Sequence, residues 1–355
     1  MPSQPRDRSA DATGKRSARA AGLLYVNDQE PGIVRMRSGR GFVYRLPGGR
    51  RVAQPRTLER IRALAIPPAY RDVWICRTPR GHLQATGRDA RGRKQYRYHA
   101  DWRSVRDADK FARLVDFGNA LPRLRRRLRA DLRLPGLPAD KVLAIAVSLL
   151  LETQIRIGSE AYERSNGSYG LTTLRNRHVS FLRAGRARLS FKGKGGRRHT
   201  LSVDDPRLVR LVRACQSLPG QQLFQYRDDG GRLRPVDSGA VNEYLLRVLG
   251  APFTAKEFRT WAGTMKAFQC LAAMPLPKRL SDRALAKVRG EVTGEVAALL
   301  GNTPAVSRKS YIDPSLFPGW QDGSLARAAA TARGARQWEQ ALVRFLKQAR
   351  RRPRR

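Results

Sequence analysis

The fold class is decided by three consecutive segments, which read His178-Val-Ser-Phe-Leu, Arg186-Ala-Arg-Leu-Ser-Phe and His199-Thr-Leu-Ser-Val. The turn before the third segment contains Gly193-Lys-Gly-Gly. Apolar and polar residues that alternate between glycine-containing turns are typical of neighbouring antiparallel strands. The stretch therefore predicts a three-stranded meander within a region whose pattern is otherwise helical.

Amphipathic helices are predicted on both sides of this meander, because apolar residues recur there at three- and four-residue spacing. The predicted helices span residues 103–130, 139–156, 206–217, 238–249, 255–274, 281–300, 304–312 and 324–350. Asp140, Ser238 and Ser281 are expected to cap three of them, since short polar side chains accept hydrogen bonds from helix N-termini. Residues 101–349 are thus predicted to form a mainly helical domain.

A smaller domain of a different type is predicted for residues 21–100. Residues 32–36, 41–46 and 72–77 have β-rich composition between glycine and proline turns, and one helix is expected to open at Thr57. The predicted fold class is therefore α+β, with a small β-rich N-terminal domain and a larger mainly α-helical domain that contains a three-stranded antiparallel sheet. Residues 1–20 and 350–355 are basic and poor in large apolar side chains, which predicts a disordered arm and a basic tail.

The charge of the chain points to a polyanionic partner. The 355 residues include 71 Lys and Arg against 29 Asp and Glu, which leaves a net charge of +42. A globular chain with so much like charge repels itself, and phosphates that neutralise it release counterions. This composition favours nucleic acid as the partner and argues against a metabolic enzyme with a small neutral substrate.

Several other classes of protein are not supported. The longest apolar run, residues 142–151, is far shorter than the roughly 20 residues of a membrane span, and the first residues have no apolar signal core. The three cysteines form no CxxC pair, the four histidines do not follow metal-ligand spacing, and no GxxxxGK[ST] motif occurs. We therefore expect a cytoplasmic protein with no metal and no nucleotide cofactor.

Cleavage of a phosphodiester without metal has definite chemical needs. A nucleophile must attack phosphorus in line, fixed donors must stabilise charge on the non-bridging oxygens, and an acid must protonate the leaving 5′ oxygen. Arginine suits the second task because its planar fork binds phosphate in a bidentate manner, and lysine suits the third. Arginine is so abundant here that residue type alone does not locate such a site.

Five segments in order resemble the type IB DNA topoisomerases, specifically their bacterial, poxvirus-like branch. They read GHLQATGRDARGRKQYRYH at 81–99, RIGSEAY at 156–162 with SYGLTTL at 168–174, FKGKG at 191–195, AKEFRTW at 255–261 and LGNTPAVSRKSYID at 300–313. The resemblance extends from about residue 24 to about residue 316. It implies the catalytic fold that these enzymes share with the tyrosine recombinases.

The resemblance implies roles for five residues. Tyr311 is the expected nucleophile, and Arg156 and Arg259 are expected to bind the scissile phosphate. Lys194 is the expected general acid toward the leaving 5′ oxygen. Asn302 is expected to donate a hydrogen bond to a non-bridging oxygen.

Two points stay open at these positions. Poxviral members have His where this chain has Asn302, so the sequence departs from that pattern. An amide can still donate a hydrogen bond but has no proton to transfer. Lys192 is the nearest alternative to Lys194, and Arg156 is a second candidate for the proton relay.

Contacts to duplex DNA are expected over a broad surface, most of it within residues 81–99. The candidates are Gln84, Thr86, Arg88, Arg91, Arg93, Lys94, Tyr96, Tyr98, Ser159, Tyr162 and Lys256. Tyr96 and Tyr98 occupy alternate positions on a predicted strand, so packing on one face of that strand is an alternative role for them.

The resemblance implies a topoisomerase that relaxes positive and negative supercoils through a 3′-phosphotyrosyl intermediate, without ATP or metal. We expect a nucleoid-associated monomer that clamps double-stranded DNA and needs no protein partner. A tyrosine recombinase is the first alternative, although recombinases usually have a helical domain where this chain has residues 81–99. A non-enzymatic architectural DNA-binding protein is the second, and it would form no covalent adduct with DNA.

We expect the affinity for duplex DNA to depend steeply on salt. The logarithm of affinity falls with the logarithm of salt concentration by about 0.9 for each phosphate contact. Fluorescence anisotropy with a labelled duplex, from low to physiological salt, measures this slope. A flat response would contradict binding through phosphates.

Overall fold

The computed structural model describes residues 8–351 except residues 91, 229 and 278. The chain forms two compact units, Met1–Phe111 and Ala112–Arg355. The division lies inside a long helix rather than between residues 100 and 101, where the sequence pattern changes. No helix of the described residues is long and apolar enough to cross a bilayer.

The first unit is built on a five-stranded antiparallel sheet with strand order β2-β1-β3-β4-β5. Its elements are α1 (Arg8–Ala20), β1 (Ile33–Ser38), β2 (Gly41–Arg45), α2 (Pro55–Ala63), β3 (Arg71–Ile75), β4 (Leu83–Arg88) and β5 (Lys94–Tyr98). Ile33, Val73 and Ile75 of the sheet pack with Ile61 of α2 in the core. The prediction of a β-rich N-terminal domain is confirmed.

The prediction of a disordered arm is wrong for residues 8–20, which form α1. Ala18 of this helix is 1% exposed and packs in a small cluster with Leu23 and Trp102. The Ser17 hydroxyl donates a hydrogen bond to Asp109 at 2.8 Å. Alanine has the highest helix propensity, so a few such contacts suffice to order a segment whose composition suggests disorder. The rest of the predicted arm, residues 1–7, lies outside the described residues.

The second unit is mainly helical. Its helices are α3 (Ala100–Asp131), which begins in the first unit, α4 (Ala139–Thr153), α5 (Glu160–Asn166), α6 (Pro206–Gln216), α7 (Ser238–Leu249), α8 (Ala255–Ala273), α9 (Asp282–Leu300), α10 (Pro304–Tyr311), α11 (Leu316–Gln321), α12 (Ser324–Ala329) and α13 (Ala335–Arg351). Its strands are β6 (Val179–Phe181), β7 (Ala187–Lys192), β8 (Arg198–Val203), β9 (Gln225–Arg227) and β10 (Leu233–Pro235). Strands β6, β7 and β8 form the predicted antiparallel meander.

Helix α4 is the centre of the second unit. All six residues from Val142 to Val147 are buried, and Leu149 and Leu150 are buried as well. A helix that is apolar on all sides must be covered on all sides. Accordingly, α4 contacts α6, α7, α8, β8 and β9.

Several predicted helix ends are wrong. Helix α4 ends at Thr153, because Gln154 adopts a left-handed conformation with φ of 50°. The predicted single helix at residues 324–350 is two helices, α12 and α13, and residues 330–334 between them are not helical. The helix predicted to open at Thr57 begins at Pro55 instead.

Of the three predicted caps, only Ser281 is confirmed, since it accepts a hydrogen bond from the Ala284 amide at 3.2 Å. Helix α7 is capped by Asp237 rather than Ser238. Asp140 lies inside the first turn of α4 and binds Arg127 and Arg247 instead. Its carboxylate therefore forms ion pairs with residues distant in the sequence, which the local pattern does not indicate, and does not cap the helix.

A buried polar contact joins α7 to the end of α3. The Tyr244 hydroxyl donates a hydrogen bond to Asp131 Oδ2 at 2.7 Å, and the two residues are 1% and 3% exposed. Arg127 Nε donates to the same oxygen at 2.8 Å. Burial and the neighbouring carboxylate raise the pKa of Tyr244, so its hydroxyl stays protonated and remains the donor.

We expect Tyr244→Phe to lower the free energy of unfolding by about 1.5–3 kcal/mol, the usual contribution of a hydrogen bond to a charged group. Urea denaturation followed by circular dichroism measures this change. The matched control is Tyr226→Phe, because the hydroxyl of Tyr226 has no hydrogen bond within the described part of the chain. An equal loss in both variants would show that the contact with Asp131 contributes nothing of its own.

Candidate active site

The segment Leu300-Gly-Asn-Thr-Pro turns the chain sharply between α9 and α10. Gly301 ends α9 with φ of 60°, a conformation that favours glycine. The backbone N–H of Asn302 then donates to the Ala297 carbonyl at 3.0 Å. The Thr303 hydroxyl then caps α10. The turn holds Asn302 at one end of α10 and Tyr311 at the other.

Helix α8 packs closely against the backbone of Tyr311. A Cβ on Gly263 would lie 2.7 Å from the Tyr311 carbonyl oxygen, so a larger residue would separate the two helices. The Thr264 hydroxyl donates to the same carbonyl at 3.1 Å. Arg259 lies four residues before Gly263, on the same helix face, and its guanidinium is 5.3 Å from the centre of the Tyr311 ring.

Arg259 is buried, with 5% of its surface exposed. Its Nη1 donates to the Gln154 carbonyl and its Nη2 donates to the Leu300 carbonyl at 2.7 Å. Both carbonyls lie at helix C-termini, where partial negative charge stabilises a cation. The left-handed conformation of Gln154 ends α4, so the Gln154 carbonyl that accepts from Arg259 lies at the C-terminus of that helix. Arg259 Nε is buried without a hydrogen-bond partner among the described residues.

Arg156 lies beyond the end of α4, in a segment without regular secondary structure, and not on the helix as predicted. The Leu171 amide donates to its carbonyl at 2.8 Å, which helps to hold the segment in place. Its Nη2 donates to Asn302 Oδ1. Arginine can only donate, so the amide oxygen must face it and Nδ2 must point away. Asn302 Nδ2 is buried and, within the described chain, has no partner.

Lys194 lies in the turn between β7 and β8. Gly195 and Gly196 have φ of 77° and 79°, which allows the tight turn, and the Gly193 amide closes it on the Arg197 carbonyl at 2.7 Å. Lys194 lines a cavity of about 200 Å³ together with Arg156 and Arg259. We call this space the active-site cavity.

The electrostatics around Tyr311 favour an anion. Burial raises the pKa of Tyr311, but the positive charges of Arg259, Arg156 and Lys256 outweigh burial and hold that pKa below its ordinary value. Burial and the charge of Arg259 lower the pKa of Arg156. Within the described residues, neither Arg156 nor Arg259 is paired with a carboxylate.

Two of the predicted DNA contacts have buried side chains in the structure. Gln84 and Thr86 of β4 are 3% and 4% exposed. The Thr86 hydroxyl donates to Asp28 at 3.0 Å, and the Gln84 amide bonds Arg60 and the Gly81 carbonyl. The structure therefore assigns these side chains to the interior of the first unit.

The predicted basic residues at the edge of the same sheet are more accessible. Arg88 lies 3.6 Å from Asp72, and Arg93 and Lys94 pair with Asp89 and Asp28. The side chains of Arg88, Arg93 and Lys94 stay 53%, 40% and 41% exposed in these pairs, which leaves them accessible to phosphate oxygens. Arg91 lies outside the described residues.

The aromatic candidates combine packing with exposure. The rings of Tyr96 and Tyr98 stack 6.0 Å apart at 8°, as the packing alternative requires, yet Tyr96 is 48% exposed. In the second unit Tyr162 of α5 is 43% exposed, Ser159 precedes α5 without a side-chain cap, and Lys256 is exposed in the first turn of α8.

Sequence reasoning missed His199, whose ring lines the active-site cavity beside Lys194. The signal available in the sequence is the hairpin register, which pairs His199 with Phe191 across the turn that carries Lys194.

Comparison with known proteins supports both units. The sequence model described as "Eukaryotic DNA topoisomerase I, catalytic core" matches residues 99–316. The one described as "Bacterial DNA topoisomerase IB, N-terminal domain" matches residues 41–89.

Two viral relatives agree with these matches. DNA topoisomerase 1B of Acanthamoeba polyphaga mimivirus is 32% identical over 286 residues, which cover 79% of this chain and 85% of the relative. DNA topoisomerase 1B of Vaccinia virus (strain Copenhagen) is 24% identical over 236 residues, which cover 65% of this chain and 70% of the relative. The resemblance in the sequence is thus confirmed, and the chain belongs to the type IB DNA topoisomerases.

Proposed function

We propose that this topoisomerase cleaves one DNA strand by attack of Tyr311 on a phosphodiester, which forms a 3′-phosphotyrosyl bond and frees a 5′ hydroxyl. The observation that carries the proposal is the buried cationic environment of Tyr311. Arg156 and Arg259 both lie near Tyr311, and neither is paired with a carboxylate of the described chain. Among the same residues, the buried donors Arg259 Nε and Asn302 Nδ2 have no hydrogen-bond partner. A phosphodiester would supply both the negative charge and the acceptor oxygens.

The donors suit the transition state better than the ground state. Attack by the tyrosine oxygen moves charge onto the two non-bridging oxygens of phosphorus. In our proposal Arg259, Arg156 and Asn302 donate to these oxygens. Their positions are set by helix ends and by one another, so little reorganisation is needed when the charge develops.

Proton transfer involves two oxygens in this proposal. Tyr311 loses its proton to solvent as it attacks, which its lowered pKa favours. Lys194 donates a proton to the departing 5′ oxygen, which would otherwise leave as a strongly basic alkoxide. Lys194 lines the active-site cavity, and this favours it over Lys192. Reversal of both transfers reseals the strand.

Topological relaxation follows from this intermediate. The bond energy of the phosphodiester is kept in the phosphotyrosyl bond, so resealing requires neither ATP nor metal in our proposal. Rotation about the intact strand would relax supercoils of either sign. We further propose that the enzyme acts as a monomer that clamps duplex DNA, without an obligate protein partner, and that it works on the nucleoid in the cytoplasm.

We expect Tyr311→Phe to abolish the covalent adduct and plasmid relaxation, while the affinity for duplex DNA stays within a few-fold of wild type, about 1 kcal/mol or less. The substitution removes one oxygen and leaves the basic surface unchanged. Gel separation of topoisomers in EDTA and denaturing gels of the adduct measure both effects. Tyr226→Phe is the control and should retain full activity. An adduct that persists in Tyr311→Phe would exclude this residue as the nucleophile.

We expect Lys194→Ala to slow cleavage of ordinary DNA by at least about a hundredfold, the usual contribution of general acid catalysis. A substrate with sulfur at the bridging 5′ position leaves as a thiolate, whose conjugate acid has a pKa of about 8.5 in the cysteine reference. This leaving group needs no proton, so most of the deficit should disappear. Single-turnover rates of adduct formation on both substrates provide the measurement.

Two controls accompany this comparison. Arg259→Ala should stay slow on both substrates, because sulfur at the bridge does not change the charge on the non-bridging oxygens. Lys192→Ala removes the neighbouring lysine and should cleave both substrates at nearly the wild-type rate. If Lys194→Ala stays equally slow on both, its role is phosphate binding, and Lys192, Lys256 and Arg156 become the candidates for the acid.

A further inference from the structure

The ring of His199 fills a space between two glycines on different elements. A Cβ on Gly193 would overlap Cδ2 of the ring, and a Cβ on Gly301 would lie 2.6 Å from Cε1. These two carbons lie on opposite edges of the imidazole. The ring therefore lies against the backbone of the β7–β8 turn on one edge and against the backbone of the α9–α10 turn on the other.

Glycine at position 193 is explained by this ring and not by backbone conformation. Gly193 has φ of −97° and ψ of −166°, values that other residues adopt readily. Gly301 is different, because its φ of 60° favours glycine in any case. The close approach of His199 is thus the feature that excludes a side chain next to Lys194.

A third contact of the His199 ring is with Phe191, and within the described part of the chain the ring packs without a hydrogen bond or a charge. It stacks on Phe191 with 5.4 Å between ring centres and 19° between planes, and the two residues pair across the hairpin. Its Nε2 is buried and makes no hydrogen bond within the described residues. Burial and the charges of Arg156, Arg259 and Arg197 lower the pKa of His199, so the ring is neutral among these cations.

The turn that carries Lys194 is joined at its base to the segment beside Arg156, because the Tyr169 amide donates to the Lys192 carbonyl at 2.7 Å. Its internal hydrogen bonds, from the Gly193 amide to Arg197 and from the Gly196 amide to Gly193, stabilise only the turn itself. Arg259 and Asn302 are held by helix ends. The contacts of the His199 ring with Gly193 and Gly301 connect the Lys194 turn directly to the turn that contains Asn302.

We propose that His199 is a positioning residue that holds the Lys194 turn against the Gly301–Asn302 turn, so that the general acid and the phosphate-binding groups keep a fixed separation. The inference rests on the proposed role of Lys194 as general acid. A displacement of 1 Å at a reacting group can cost about a hundredfold in rate. Loss of the ring should therefore impair protonation of the leaving oxygen more than binding of the phosphate.

The test compares His199→Ala on ordinary DNA and on DNA with sulfur at the bridging 5′ position. We expect cleavage of ordinary DNA to slow by at least about tenfold and most of this deficit to vanish on the sulfur substrate. Fast cleavage of the sulfur substrate also shows that the variant is folded. The matched control is His178→Ala, which removes another buried imidazole next to the same sheet. Any loss in that variant should be equal on both substrates.

A double-mutant cycle tests the packing itself. Gly193→Ala should slow cleavage of ordinary DNA by about tenfold in the wild-type background, and this effect should largely disappear in His199→Ala, because residues in contact are coupled. Independent effects of the two substitutions would overturn the proposed contact.

The outcomes separate the inference from the proposed function. If Lys194→Ala is rescued by sulfur and His199→Ala is not, Lys194 remains the acid and the positioning role of His199 is overturned. If Lys194→Ala itself is not rescued, the proposed acid is wrong, and the role of His199 in placing it is overturned with it. If both variants are rescued, both assignments are supported.

Discussion

The arrangement of the active site depends on one buried guanidinium. Arg259 donates to carbonyls at the C-terminal ends of α4 and α9 and lies over the ring of Tyr311, so four helices meet at a single side chain. A buried charge is costly unless its hydrogen bonds are satisfied. The carbonyls at the two helix ends accept two of these hydrogen bonds. The positions of the helix ends therefore depend on the position of Arg259.

The same site holds positive charge at a cost to stability. Arg156 and Arg259 are close enough for the charge of one to lower the pKa of the other, and the described chain places no carboxylate on either. Such an arrangement stores repulsion that an anion relieves. In the proposed reaction, the affinity of this site for a phosphodiester would arise partly from interactions that destabilise the protein alone, which is a common relation between function and stability.

The sequence predicts the main elements well, because periodicity and glycine turns are local signals. The meander and most helices of the second unit lie where expected, and the family segments bring Arg156, Arg259, Asn302 and Tyr311 together. The failures have tertiary causes. Ala18 is ordered by Leu23 and Trp102, Asp140 forms tertiary ion pairs, and Thr86 is buried with its hydroxyl on Asp28, far away in the sequence. His199 was missed because its role depends on Gly301, about a hundred residues away in the chain.

The orientation of Asn302 has a consequence for the conditions under which the enzyme can work. An imidazole at this position would have to accept from Arg156 with one nitrogen and donate with the other, and it could do so only in its neutral form. The amide has separate atoms for the two tasks and no proton to gain near neutrality. The contact with a phosphate oxygen that we propose for it would therefore be the same in mildly acidic and mildly alkaline surroundings, and acid tolerance at this position would come from the residue type itself.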